Sequence, residues 1–143
     1  MADETVDAFW QRFVAATGLD GAYTAWSFGD SPEMATELAQ LVKSGPKRAT
    51  AGLLPDASEE MPQPGDLSVI LDGDDRPVCV IRTTAVEVRR FGEVDAEFAH
   101  AEGEGDRTLG RGRQEHRRFF ATQGITVDDE TELVLERFEL LWP

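Results

Sequence analysis

The chain has 143 residues, 41% of them hydrophobic, and a formal net charge of −14 at pH 7. That length suits one ordinary domain, and eight Phe and three Trp supply enough apolar volume for a core, which excludes global disorder. Proteins that grip nucleic-acid duplexes need a basic surface, so this acidity argues against duplex DNA and leaves room for a small ligand or a local basic site.

Residues 4–17 read as a helix, because Val6, Phe9, Trp10, Phe13 and Val14 recur on one helical face and Gly18 stops it. An aromatic loop, YTAWSFGD over 23–30, follows. The next helix has Ser31 as N-cap, Pro32 in the first position, Glu33 facing the positive end of the dipole, and Gly45 as a left-handed C-cap. Met34, Leu38, Leu41 and Val42 form its apolar stripe. Residues 48–54 suit a strand and 55–65, rich in Pro, Asp, Glu and Ser, a loop. Residues 67–72 and 77–90 form a hairpin around Asp72-Gly73-Asp74-Asp75. A short helix fits within 91–100, and a further one, capped by Asp106, over 107–121. The last strand covers 132–142, with Val134, Phe138, Leu140 and Trp142 on one side.

Strands and helices do not alternate regularly, which disfavours a parallel sheet. The expected class is α+β: a small, mostly antiparallel β-barrel with flanking helices, in one domain over 1–143. Residues 1–8 lack an apolar signal core and no apolar run reaches membrane-spanning length, so a soluble, cytoplasmic protein with no membrane association is expected. The single cysteine, Cys79, sits in the apolar run PVCVI and reads as a core residue.

Three segments carry side chains suited to chemistry. In Gly45-Pro46-Lys47-Arg48-Ala49-Thr50, a Lys at a helix–strand junction can be desolvated. A neutral amine beside a hydroxyl makes a base–nucleophile pair. The same spacing also suits a solvated Lys beyond a helix cap. In Ala101-Glu102-Gly103-Glu104-Gly105-Asp106, carboxylates able to move a proton or hold a cation alternate with glycines, though the segment equally suits a polar turn and lacks calcium-loop spacing. The third is a basic helical stretch. Arg107, Arg111, Arg113, Arg117 and Arg118 join Lys43, Lys47 and Arg48 to place eight of the 14 basic residues in two knots. A solvated face, with Phe119 and Phe120 turned inward and His116 in a surface or packing role, accounts for that helix as well.

The chain resembles the ASCH family of the PUA-like superfamily. The resemblance covers nearly its whole length and is carried by FWQRF, YTAWSFGD, SGPKRAT, QPGDLSVILDGDDRPVCVIRTTAVEV, FAHAEGEGDRTL, a His before paired Phe, and LVLERFELL in that order. It implies a β-barrel with a central cleft and RNA or nucleoside ligands. One branch of the family hydrolyses the exocyclic amide of acylated cytidine with a Lys, a Thr and a Glu. These match Lys47, Thr50 and Glu104, with Glu102 as the alternative Glu. Another branch is described as a ribonuclease. Thr108 matches a Ser or Thr opening the last helix, and Trp26, Phe28, Arg48 and Arg107 complete the expected ligand site. Arg111 and Gly112 stand where similar proteins carry bulky aromatics. Gly110 and Gly112 each cost that helix about 1 kcal/mol relative to Ala, which lowers a wall of the pocket.

The favoured expectation is therefore an amidohydrolase of acylated cytidine. A ribonuclease for short single-stranded RNA and a non-catalytic RNA-binding module are the alternatives. No cofactor is expected, and a divalent metal is left open.

Overall fold

The structure, a computed structural model, describes residues 4–29, 31–53, 61–102 and 128–143. Helix α1 spans Val6–Thr17. It starts at Thr5, whose hydroxyl accepts from Ala8 N at 3.1 Å, and ends at Gly18 with φ 77°. Strand β1 is Thr24–Trp26 and helix α2 is Pro32–Ser44. The capping of α2 is as the sequence indicates: Ser31 accepts from Met34 N, and Gly45 takes φ 119°. Strands β2 (Ala49–Leu53), β3 (Leu67–Leu71) and β4 (Pro77–Arg90) follow, then a 3₁₀ turn at Phe91–Glu93 and helix α3 (Ala96–Glu102). Strand β5 is Glu132–Trp142. The helix expected over 107–121 lies outside the described residues.

The five strands form one mixed sheet in the order β1-β3-β4-β5-β2. The β1–β3 pairing is parallel, while β3–β4, β4–β5 and β2–β5 are antiparallel. The α+β class and the mainly antiparallel pairing hold. The expected closure into a barrel does not: among the described residues no ladder joins β1 to β2. Edge strand β1 is only three residues long, and side chains rather than a closing ladder cover the sheet.

Both faces of the sheet are covered. Phe9, Trp10 and Phe13 of α1 pack on Val69 and Val80, while Leu38, Ala39 and Val42 of α2 pack with Phe28 on Ile70, Cys79, Ile81 and Phe138. Alternation along β3 and β4 delivers neighbouring residues to opposite helices. Burial pushes the Cys79 thiol up to about 12, as suits a core residue. A third cluster joins Ala49, Leu133 and Leu135 to Phe91, Val94 and Phe98.

The end of β5 corrects one expectation. Val80 pairs with Trp142 but Ile81 with Leu140, so Leu141 is an extra, bulged residue. The bulge moves Trp142 off the side of Phe138 and Leu140 and into the α1 cluster, where its ring centroid lies 5.0 Å from Phe9.

The β3–β4 turn is fastened to the start of α2. Gly73 N donates to Thr36 Oγ1 at 2.9 Å, and a Cβ at Gly73 would sit 2.1 Å from the Pro32 carbonyl oxygen. Gly73→Ala is expected to cost about 1–3 kcal/mol in a denaturant titration, the usual range for overpacking against a rigid neighbour. Gly52, where an added Cβ meets nothing within 4 Å, is the matched control, and Gly52→Ala should leave the midpoint nearly unmoved.

Candidate functional site

The junction of α2 and β2 turns on Lys47. Gly45 ends the helix, Lys47 N still donates to Leu41 O at 3.2 Å, and β2 begins two residues later. The turn directs the Lys47 side chain inward, where it is 1% exposed. Its Nζ donates to Ala49 O at 2.9 Å and to Glu102 O at 3.4 Å, and lies 5.2 Å from the centroid of the Phe28 ring. Carbonyl oxygens and a π face are the partners a buried amine requires.

Phe28 is 5% exposed and wedged between Trp26, at 4.6 Å, and Phe138, at 6.0 Å between centroids. It forms the floor under the amine. Trp26 is partly buried and remains the more accessible of the two rings. Arg48 donates from Nη1 to Val42 O at 3.0 Å and to Lys47 O at 2.8 Å, while its backbone N donates to Ala101 O at 2.6 Å. It therefore seals the C-terminal end of α2. Glu102, the last residue of α3, is 3% exposed and contributes its carbonyl to Lys47.

Thr50 lies one residue beyond Ala49 and is partly exposed. Its direct partner across the β2–β5 ladder is Glu136, so the two side chains leave the sheet on the same face. Glu136 is partly buried, and its Oε1 accepts from the hydroxyl of Thr83, itself 1% exposed, at 2.8 Å. Burial holds the Glu136 carboxyl above its ordinary value. The Thr83 hydrogen bond opposes the shift and the Asp66 carboxylate adds to it.

Lys47, Phe28, Trp26, Arg48 and the Glu102 carbonyl are thus gathered at one junction, and Thr50 stands on the strand that leaves it. Glu104, Arg107 and Thr108 lie outside the described residues. Among the described residues no group of His, Cys, Asp and Glu could hold a metal ion, and no helix is long and apolar enough to cross a membrane.

The sequence model of the ASCH domain matches residues 24–142. The chain belongs to the ASCH family. The ASCH domain is of the PUA-like, RNA-binding type. An ASCH domain from Lactobacillus crispatus JV V101, known from a high-resolution crystal structure, superposes with a TM-score of 0.86 at 29% identity, covering 96% of this chain and 94% of that one. Protein EF3133 from Enterococcus faecalis V583 superposes with a TM-score of 0.84 at 38% identity, covering 96% and 88%. The hypothetical protein PH0355, at 16% identity and a TM-score of 0.58, shares the fold, with 84% of this chain and 100% of that one covered. No curated protein matches the chain in sequence.

Glu136 and Thr83 escaped the sequence reading of this ASCH domain. The signal was present: Glu136 occupies the position between Val134 and Phe138, where strand alternation calls for another apolar residue. Its raised pKa gives a stability test. The folded chain holds the Glu136 proton more tightly than the unfolded chain, so the group favours folding below the ordinary Glu value of 4.5 and loses that contribution as pH rises above it. Relative to wild type, Glu136→Gln should therefore gain thermal stability at pH 7. In melts followed by circular dichroism, that gain should shrink toward zero near pH 4.

Proposed function

We propose that this ASCH domain is an RNA- or nucleoside-directed hydrolase, and that its preferred substrate class is acylated cytidine, cleaved at the exocyclic amide. The observation that carries the reading is the Lys47 amine, 1% exposed, set over the Phe28 ring three residues before a partly exposed Thr50. An amine placed in a low-dielectric recess beside a hydroxyl suits proton transfer.

In this reading Lys47 takes the proton from Thr50 Oγ1, or from a water in its place, and the oxygen attacks the acyl carbon. The tetrahedral adduct collapses with cleavage of the C–N bond. The leaving exocyclic nitrogen gains a proton from Glu104, a role assigned on the family resemblance. When Thr50 is the nucleophile, a water then cleaves the acyl–Thr50 ester to the acid, giving its proton to Glu104 while Lys47 returns its own to Thr50. When water attacks, the acid forms directly and the proton on Lys47 passes back to Glu104 through solvent. Trp26 offers a stacking face for the base.

Charge supports a small neutral ligand. Arg12, Arg76, Arg82, Arg89, Arg90 and Arg137 each form ion pairs with carboxylates, which leaves little of the described surface to track a phosphate backbone. One observation favours a second reading, a non-catalytic RNA-binding module. Both Lys47 hydrogen bonds named above go to main-chain carbonyls, as they would in a structural clamp.

Hydrolysis of N4-acetylcytidine, followed by chromatography, separates these readings. Lys47→Met, which keeps an apolar stem against Phe28, is expected to lower kcat/KM by about two to four orders of magnitude. A loss of tenfold or less in a folded variant rejects the catalytic role of Lys47. Cleavage of a labelled single-stranded RNA, weakening steeply with salt, would instead identify the ribonuclease alternative.

A further inference from the structure

The nucleoside reading leaves open what recognises the base. A stacking ring holds any base alike, so discrimination needs a polar group at the base edge. Glu136 is suitably built and placed. It projects from the face of β5 that also carries Phe138, the residue packed against Phe28 beneath the Lys47 amine. Its cross-strand neighbours are Thr50 on β2 and Val86 on β4. It is therefore the carboxyl beside the proposed nucleophile, on a strand held from both sides.

The group is also fixed in orientation. The Thr83 hydroxyl donates to Oε1, and Thr83 is pinned in turn by main-chain bonds: its N donates to Asp66 O at 2.9 Å and its O accepts from Gly65 N at 2.8 Å. Thr83 is the one hydrogen-bond donor to the Glu136 carboxyl among the described residues. The carboxyl is only partly buried, so part of it faces solvent rather than core. Beyond the Thr83 bond its two oxygens keep further lone pairs, so the carboxyl offers acceptors to a ligand edge.

We infer that Glu136 is the base-reading residue of this site, its carboxyl accepting the exocyclic N–H of a cytosine-type edge. The inference rests on the nucleoside reading of the Lys47–Thr50 site and deepens it by naming the base and the group that selects it. A uracil-type edge presents a carbonyl oxygen in place of that exocyclic N–H, which sets an acceptor against an acceptor. Glu136 acts here through ligand contact and takes no part in the bond-breaking step.

The test measures binding of cytidine and uridine, neither of which carries an acyl group, by calorimetry or NMR titration on the full chain. Wild type is expected to prefer cytidine by about tenfold, the order of discrimination a base-edge hydrogen bond provides. Glu136→Met should bring the two affinities within about threefold. Glu136→Gln, whose amide oxygen presents the same acceptor, should keep most of the preference. This rescue distinguishes base reading from mere support of the strand.

A Glu136→Met variant that retains the cytidine preference, a Glu136→Gln variant that loses it, or a wild type indifferent to the two nucleosides overturns the inference. Lys47→Met serves as the independent arm. Turnover of N4-acetylcytidine that survives Lys47→Met, with the expected Glu136 pattern intact, rejects the catalytic reading and leaves base recognition standing. Turnover lost in Lys47→Met, together with a cytidine preference that Glu136→Met leaves unchanged, rejects only the role of Glu136. Should Glu136→Met fail to fold by circular dichroism, Glu136→Leu takes its place in the same comparison.

Discussion

A primary amine enclosed by protein must be given oxygen or π partners, because burying it bare costs several kcal/mol. Lys47 meets that requirement with groups from separate parts of the chain: the Ala49 carbonyl at the start of β2, the Glu102 carbonyl at the end of α3, and the Phe28 ring after β1. Each partner fixes the position of its own segment relative to the others. Arg48 adds a second tie at the same point by bonding the last carbonyls of the turn that leaves α2. The amine is thus a nail through the junction of two helices and two strands, and whatever chemistry occurs there inherits that rigidity.

The sheet supplies the second requirement, a face on which polar groups can stand beside an apolar floor. Strand β4 is long enough to pair with β3 along one edge and with β5 along nearly its whole length. Its bulges let one strand serve two differently oriented parts of the sheet, since each extra residue strengthens the local twist. Thr83, Glu136 and Thr50 come from three adjacent strands, β4, β5 and β2, and meet because of this ordering. No two of them are neighbours in sequence.

Much of the architecture was legible in the sequence because it is written in local rules. The Ser31 and Gly45 caps, the turn at Asp72–Asp75 and the limits of β4 and β5 follow from residue types at fixed offsets. Lys47 was legible as a candidate from its place at a helix–strand junction. Sheet closure was not legible, since it depends on whether the two edge strands reach each other, which no local pattern encodes. The Trp142 side was misread because a single bulge at Leu141 reverses every later side chain, and a bulge leaves no mark in apolar periodicity. Glu136 was passed over for the opposite reason. Its mark was plain, a charge inside an apolar stripe, but its meaning came only from Thr83 and Thr50 arriving on neighbouring strands.

That misplaced charge also bears on why the site has the form it does. A Glu on a strand face beside Val134, Phe138 and Val86 lies where an apolar side chain would pack without desolvation cost, and the upward shift of its carboxyl is the sign of that cost. Thr83 relieves it only in part. A residue that weakens the fold at neutral pH, yet is held in place by a buried hydroxyl with its own main-chain anchors, serves the strand poorly as structure. The same two facts serve recognition well, because a ligand edge that completes the hydrogen bonding of the carboxyl recovers in binding what the fold gives up. The discrimination then comes from the penalty itself: a base presenting an acceptor where the carboxyl needs a donor leaves it desolvated and unmatched, and is rejected for it.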